Sequence, residues 1–297
     1  MTIRENLTEA PMTPYCVYDV FTDAPFGGNP LAIIPDATGL AENKLQAIAR
    51  EFNFSETTFV YLPDDAAHQA RVRIFTPTME IPFAGHPTIG TALCLHDLGR
   101  ASEAFTLELG VGPIPIRIRD GKAQFTTRVP LETWPGPSPE TVAKSVDLPR
   151  DAIRLETHNP IIASVGLPFA LAELRTKAHL GAAQPDTAAF RAFDAHWPTD
   201  THYDLLVYVR DGNHITARMF APLDGIPEDP ATGSAAAALT AYLGKLEGKN
   251  RTFQITQGVE MGRPSRIDAS VTIEDGAPSA VSIEGTAVKV MEGHLLL

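Results

Sequence analysis

Apolar positions along this chain switch period again and again, and the switches mark out many short strands with a few helices between them. Residues 17–21 and 31–34 are compact apolar runs on either side of a Gly/Pro stretch, Ala24-Pro25-Phe26-Gly27-Gly28-Asn29-Pro30, and predict two strands around a turn. Leu45, Ile48, Ala49 and Phe52 then fall at i, i+3, i+4 and i+7, the stripe of an amphipathic helix. β-Branched and aromatic composition returns at residues 57–62 and 71–75. Residues 87–98 predict a second helix, stopped by Gly99. Strands follow at 105–109, 114–119 and 124–129, the last two joined by an Asp120-Gly121 turn. The Pro-rich stretch Trp134-Pro135-Gly136-Pro137-Ser138-Pro139 predicts a linker running into a short helix capped by Ser138.

The second half repeats the first. Phe59-Val60-Tyr61 is echoed by Leu206-Val207-Tyr208, Arg73-Ile74-Phe75 by Arg218-Met219-Phe220, and His86-Pro87-x-x-Gly90-Thr91-Ala92 by Asp229-Pro230-x-x-Gly233-Ser234-Ala235, in the same order. A period this long is two copies of a domain, not a solenoid of units of about 20–50 residues. Each copy is expected to be several strands around one apolar helix. In the second copy that helix spans 230–243 and contains Ala235-Ala236-Ala237-Ala238-Leu239, which is apolar on most faces and suits the centre of a curled sheet.

Composition narrows the partners. Against 24 Lys and Arg stand 36 Asp and Glu, a formal net charge of -12 over 297 residues with no basic run, which disfavours nucleic acid and acidic membrane surfaces. No apolar run approaches the roughly 20 residues of a membrane helix. Residues 1–13 lack the basic-then-apolar order of a secretory signal and read as a loose tail. Cys16 and Cys94 are too few for a disulfide framework or a zinc site, so a reducing cytoplasm is the expected compartment.

Candidate chemistry gathers on the duplicated helix starts. The Pro that follows each places His86 and Asp229 at N-cap positions, with free N–H groups and the positive dipole ends directed into a cleft that could hold a carboxylate. Gly85, Gly90 and Gly233 allow close backbone approach. Taken singly, Asp229 reads as an ordinary cap, and Thr91 and Ser234 either bond back within their helices or reach a cleft ligand. Glu56, between a helix end and a strand start, would need burial and a raised pKa to move protons near neutral pH.

Five ordered segments carry a resemblance. They are Asp19-Val20-Phe21-Thr22 with Gly28-Asn29-Pro30-Leu31-Ala32, Ser55-Glu56-Thr57-Thr58-Phe59, Pro82-Phe83-Ala84-Gly85-His86-Pro87, Glu228-Asp229-Pro230-Ala231-Thr232-Gly233-Ser234-Ala235, and Gln257-Gly258-Val259-Glu260-Met261-Gly262-Arg263-Pro264. On these the chain resembles the PhzF-like phenazine biosynthesis proteins of the diaminopimelate-epimerase superfamily. The resemblance implies an α+β, diaminopimelate-epimerase-like fold. It has two pseudo-symmetric domains, each a curled β-sheet or barrel around a central α-helix, with the active site in the cleft between them. One domain is expected at 14–130, completed by the C-terminal strand 286–297, and the other at 131–285.

The implied function is a cofactor-independent isomerase that shuttles a proton on a small carboxylate, most concretely trans-2,3-dihydro-3-hydroxyanthranilate. Glu56 matches the carboxylate that removes and returns the proton, His86 and Asp229 match residues that orient the substrate and its protons, and Gly85, Gly233 and Ser234 match substrate contacts. No metal and no organic cofactor is implied, and a homodimer is. The epimerase and racemase branches use a Cys at each helix start, whereas neither start here has one, and Cys94 lies about two turns into its helix. An epimerase acting through Glu56 and another acid, and a non-catalytic ligand-binding protein on the same scaffold, are the alternative readings.

Overall fold

A computed structural model describes residues 12–199 and 201–297. The expected tail, residues 1–13, falls outside them except for Met12 and Thr13, which already belong to a strand. The first half runs β1 (Met12–Val20), β2 (Asn29–Ile34), α1 (Glu42–Phe52), β3 (Glu56–Tyr61), β4 (Ala70–Phe75), β5 (Glu80–Ile81), α2 (Gly85–Asp97), β6 (Ala104–Leu109), β7 (Gly112–Arg119) and β8 (Lys122–Thr127). After β9 (Glu132–Pro135) and α3 (Pro139–Ser145) come β10 (Ile161–Ser164), β11 (Pro168–Glu173), α4 (Lys177–Ala182) and α5 (Thr187–Asp194). The chain closes with β12 (Leu205–Asp211), β13 (His214–Ala221), β14 (Ile226–Asp229), α6 (Gly233–Glu247), β15 (Arg251–Gln257), β16 (Ser265–Glu274), β17 (Ala277–Gly285) and β18 (Ala287–Leu296).

Local chemistry accounts for many of these boundaries. The stripe of α1 buries Leu45, Ile48 and Ala49, and the helix stops where Asn53 turns left-handed (φ 52°) and donates its N–H to the Ala49 carbonyl. Asp120 and Gly121 both take positive φ (53° and 74°), the two-residue turn whose twist matches a hairpin, and Asp275 and Gly276 repeat it between β16 and β17 (51° and 78°). The Ser138 hydroxyl accepts from the Thr141 N–H and caps α3 as expected. The stretch before it is not all linker, however: Trp134 and Pro135 belong to β9. A proline there reads as a breaker, but β9 pairs only with β10 and so lies at a sheet edge, where a missing N–H is tolerated.

Strand pairing reads the same from either end. Neighbours run β18, β1, β2, β3, β4, β6, β7, β8, then β17, β16, β15, β13, β12, β11, β10, β9, with β5 on β4 and β14 on β13. Parallel steps fall only at β2–β3 and β4–β6, and again at β11–β12 and β13–β15. The sheet curls without closing, and its midpoint, the β8–β17 pairing, joins the two halves. Inside each curl lies one helix buried on nearly all faces, α2 and α6, which share the main apolar core with both halves of the sheet.

Superposing the halves by this pairing corrects the echo read from sequence. Gly85 and Gly233 open the two helices, and Ile74 faces Ile81 across β4–β5 as Met219 faces Asp229 across β13–β14. Residue numbers in this region therefore match at a difference of 148, which pairs 85 with 233, 86 with 234 and 81 with 229. Pro230 is the counterpart of Pro82, not of Pro87, because the second half inserts a short turn at Pro222–Asp224 and Gly225 (φ 78°) before its last short strand. Nor are His86 and Asp229 N-caps. Ala84 and Thr232 hold those places, with His86 one residue inside α2 and Asp229 ending β14.

Helix α6 lies so close to the sheet that a methyl at Gly244 would run into Val271 Cγ1 of β16. In an isolated helix Gly→Ala gains about 1 kcal/mol. Here the stiff Val271 cannot swing away, and overpacking costs about 1–3 kcal/mol. Gly244→Ala is accordingly expected to lower stability in urea titrations, with an unchanged slope against denaturant. A gain would show that the sheet yields to the extra methyl.

Candidate active site

The two central helices meet at their N-terminal ends. A methyl built on Gly85 would lie 3.1 Å from Gly233 Cα, and one on Gly233 would lie 3.3 Å from Gly85 Cα, so the helix starts touch backbone to backbone. Neither carries a side-chain cap. Ala84 has none to offer, and the Thr232 hydroxyl is spent on Asp229 Oδ2 at 2.5 Å. Uncapped first-turn N–H groups and two positive dipole ends converge on one spot, which favours an anion. Ser234, second residue of α6 and counterpart of His86, stands partly exposed beside it.

Glu56 enters from the N-terminal half. The left-handed end of α1 at Asn53 turns the chain so that Glu56 opens β3, in parallel register with Leu31 of β2. Its side chain is 14 % exposed, and its Oε2 faces His86 Nε2 at 3.4 Å. Neither of these two buried atoms has a hydrogen-bond partner. Burial, reinforced by the charge of Asp229, pushes the Glu56 carboxyl well above the ordinary carboxylate range. Burial pushes the His86 imidazole down to about 3. Burial thus disfavours the charged form of both groups, which weakens the ion-pair character of their approach.

Asp229 is held by four neighbours that composition and spacing did not single out. Asn29 Nδ2 donates to Asp229 Oδ1 at 2.8 Å and to the Ala231 carbonyl at 3.1 Å, and Ser55 Oγ lies 3.2 Å from both Asp229 Oδ1 and Asn29 Oδ1. Thr232 binds the other carboxylate oxygen, while Gln257 Nε2 donates to the Asp229 carbonyl at 2.7 Å and to Thr232 Oγ1 at 3.0 Å. Burial raises Asp229 to about 6, the hydrogen bonds from Thr232, Asn29 and Ser55 pulling it back down and Glu228 adding a smaller upward push. Glu228 itself is held in a two-pronged pair by the buried Arg218. Asn29 follows a Gly-Gly turn, where Asn reads as a turn former, so only three-dimensional closure reveals its role.

The other sequence candidates sort by position. The Thr91 hydroxyl meets Thr58 Oγ1 at 2.9 Å, fully buried, and ties α2 to β3 instead of reaching the cleft. Cys94 and Cys16 are buried free thiols in the main core. Glu56, His86, Asp229, Gly85, Gly233 and Ser234, by contrast, come from both halves to the one place where the helices meet.

Comparison with known proteins shows the family. The model of the phenazine biosynthesis-like protein family matches residues 18–293. An uncharacterized isomerase of Mesorhizobium japonicum is 37% identical over 95% of this chain and 98% of its own. The trans-2,3-dihydro-3-hydroxyanthranilate isomerase of Pseudomonas aeruginosa is 35% identical over 96% of this chain and 100% of its own. Among solved structures, a PhzF-family phenazine biosynthesis protein of Bacillus anthracis superposes with a TM-score of 0.85 at 26% identity, covering 97% of this chain and 100% of that one. Two helices in a curled, unclosed sheet and similarity along nearly the whole length place this diaminopimelate-epimerase-like chain in the phenazine biosynthesis-like protein family.

Proposed function

We propose that the chain is an isomerase that moves a proton within a small carboxylate, with Glu56 as the group that takes and returns it and trans-2,3-dihydro-3-hydroxyanthranilate as the most concrete substrate. The observation that carries the reading is the pair of buried, unpartnered atoms, Glu56 Oε2 and His86 Nε2, set beside two uncapped helix starts. A carboxylate on the paired N–H groups would present the adjoining carbon to Glu56. The ionised glutamate removes a proton from that ring carbon and redelivers it to another position on the same face. His86 and Asp229 orient the substrate and its exchangeable protons, while Gly85, Gly233 and Ser234 contact it from the helix starts. The reading includes a homodimer in a reducing cytoplasm, the compartment suited to two free buried thiols. A thiol-pair racemisation finds no support, since neither sulfur stands at a helix start.

Incubation of the pure protein with trans-2,3-dihydro-3-hydroxyanthranilate should change its conjugated absorption, and Glu56→Gln should slow this by roughly 10²–10⁴-fold, the usual worth of a general base. In D₂O the migrating position should retain substrate hydrogen. Full wash-in of solvent label with inversion at a stereocentre would favour an epimerase instead, and undiminished binding and biological effect in an inert Glu56→Gln protein a binding role.

The raised carboxyls also set signs for pH. As a base Glu56 must be ionised, so kcat/KM should rise with pH along a limb displaced above the ordinary carboxylate range. Asp229→Asn removes the charge that helps to raise Glu56, and should move that limb to lower pH. Stability runs the other way. A carboxyl whose folded pKa is raised binds more protons folded than unfolded between its two values, so it stabilises fully below the unfolded value and loses that contribution as pH rises through the folded one. For Asp229, from 3.8 to about 6, this amounts to on the order of 3 kcal/mol. Urea titrations from pH 4 upward should show the wild type losing stability relative to Glu56→Gln. An unchanged difference would mean that Glu56 is not held protonated.

A further inference from the structure

Two of the segments that carry the family resemblance, Gly28-Asn29-Pro30 and Gln257 to Pro264, hold no residue assigned to the chemistry above, yet they meet at it. We propose that Asn29 is a positioning residue that keeps the single ring proton of His86 on Nε2, the nitrogen on the Glu56 side, and that the Asp19–Arg263 pair presents it. This rests on the isomerase reading for its purpose but not for its geometry.

The orientation of the Asn29 amide is fixed by a group with only one possible role. The Ala231 carbonyl can only accept, so the amide atom 3.1 Å away is the NH₂ group, and the Ser55 hydroxyl serves the amide oxygen at 3.2 Å. That NH₂ also stands 3.4 Å from His86 Nδ1. A hydrogen on Nδ1 would point at a group that has hydrogens and no lone pair to receive it. The imidazole therefore keeps its lone pair at Nδ1 and its proton at Nε2, 3.4 Å from Glu56 Oε2. Asn29 is fully buried, so no bulk water relaxes this preference. The same NH₂ binds Asp229 at 2.8 Å, so one amide joins two of the three candidate catalytic side chains, His86 and Asp229, and reaches Glu56 only by way of the imidazole.

What holds Asn29 in place crosses between the halves. Arg263, from the loop after β15, donates to Asp19 Oδ1 at 2.5 Å, to the Gly27 carbonyl at 2.7 Å and to the Gly28 carbonyl at 2.8 Å. The other oxygen of Asp19 accepts the Phe26 N–H at 2.7 Å, where Phe26 is held at a positive φ of 70° that a bulky residue rarely adopts. Gly28 is left-handed as well (φ 61°), and a methyl there would strike the Val20 carbonyl. A turn this tightly determined, pinned from the opposite half, delivers its last residue to the cleft at one angle.

The test is ¹⁵N NMR of the histidine rings together with steady-state kinetics. Wild type should show a buried His86 carrying its hydrogen on Nε2. Asn29→Ala should introduce the Nδ1–H form and lower kcat by about tenfold or more while KM moves less, since an imidazole with its proton on the wrong nitrogen is misdirected even when well placed. Arg263→Lys, which loses the fork but stays soluble at the rim, should give a smaller change of the same kind if Asn29→Ala does not fold. A wild-type ring protonated on Nδ1, or a folded Asn29→Ala or Arg263→Lys protein with the wild-type tautomer and kcat, would overturn the proposal. Loss of turnover plays no part in the wild-type spectrum, so failure of the isomerase reading and failure of this one are told apart.

Discussion

Everything in the cleft depends on two helix starts that approach until their backbones touch. Gly85 and Gly233 permit it because each occupies the space that the other's Cβ would need. The contact aligns two uncapped sets of N–H groups, and the strand ends that carry Glu56 and Asp229 come close enough for one charge to act on the other. It also sets positive potential inside a protein of net charge -12 without a cluster of lysines. Backbone dipoles supply the positive potential, and they do so in a dry place where it counts for most. The same burial raises both carboxyls, and the charge of Asp229 pushes Glu56 up further.

The backbone is nearly symmetric while the chemistry is not. Matching Arg73 and Phe75 of β4 with Arg218 and Phe220 of β13 through their partners on β3 and β12 puts Asp204 where Glu56 stands in the other half. Asp204 too is pushed up by burial, with Asp224 and Asp194 contributing, and one of its oxygens is buried without a partner. Yet the counterpart of His86 is Ser234, so only one half sets an imidazole against its carboxyl. Symmetry supplies the frame, and the carboxyl–imidazole approach belongs to one half alone.

How much of this was legible depended on the range of the cause. Local causes were readable: the stripe of α1, the Asp120-Gly121 hairpin, the Ser138 cap and the all-round apolar α6 follow from neighbours within a few residues. Glu56 was readable only through resemblance, because nothing within the chain's local pattern marks a buried carboxyl. The echo of His86-Pro87 in Asp229-Pro230 misled, since two prolines three-dimensionally unrelated matched better as letters than the true counterparts Pro82 and Pro230. Asn29, Ser55 and Gln257 converge on Asp229 from 28 to 200 positions away, and no periodicity reports on that.

The order of the strands carries a history. β9 follows the last strand of the first half yet pairs with the second, on β10, and β18 follows the last strand of the second half yet pairs with the first, on β1. Each half is therefore finished by a strand lent from the other. That is the pattern two identical ancestral chains would leave had they traded tails as a dimer before fusing into one. A cut between β9 and α3 would not release two free-standing pieces, because β9 would stay paired with β10 and β18 with β1 across the break.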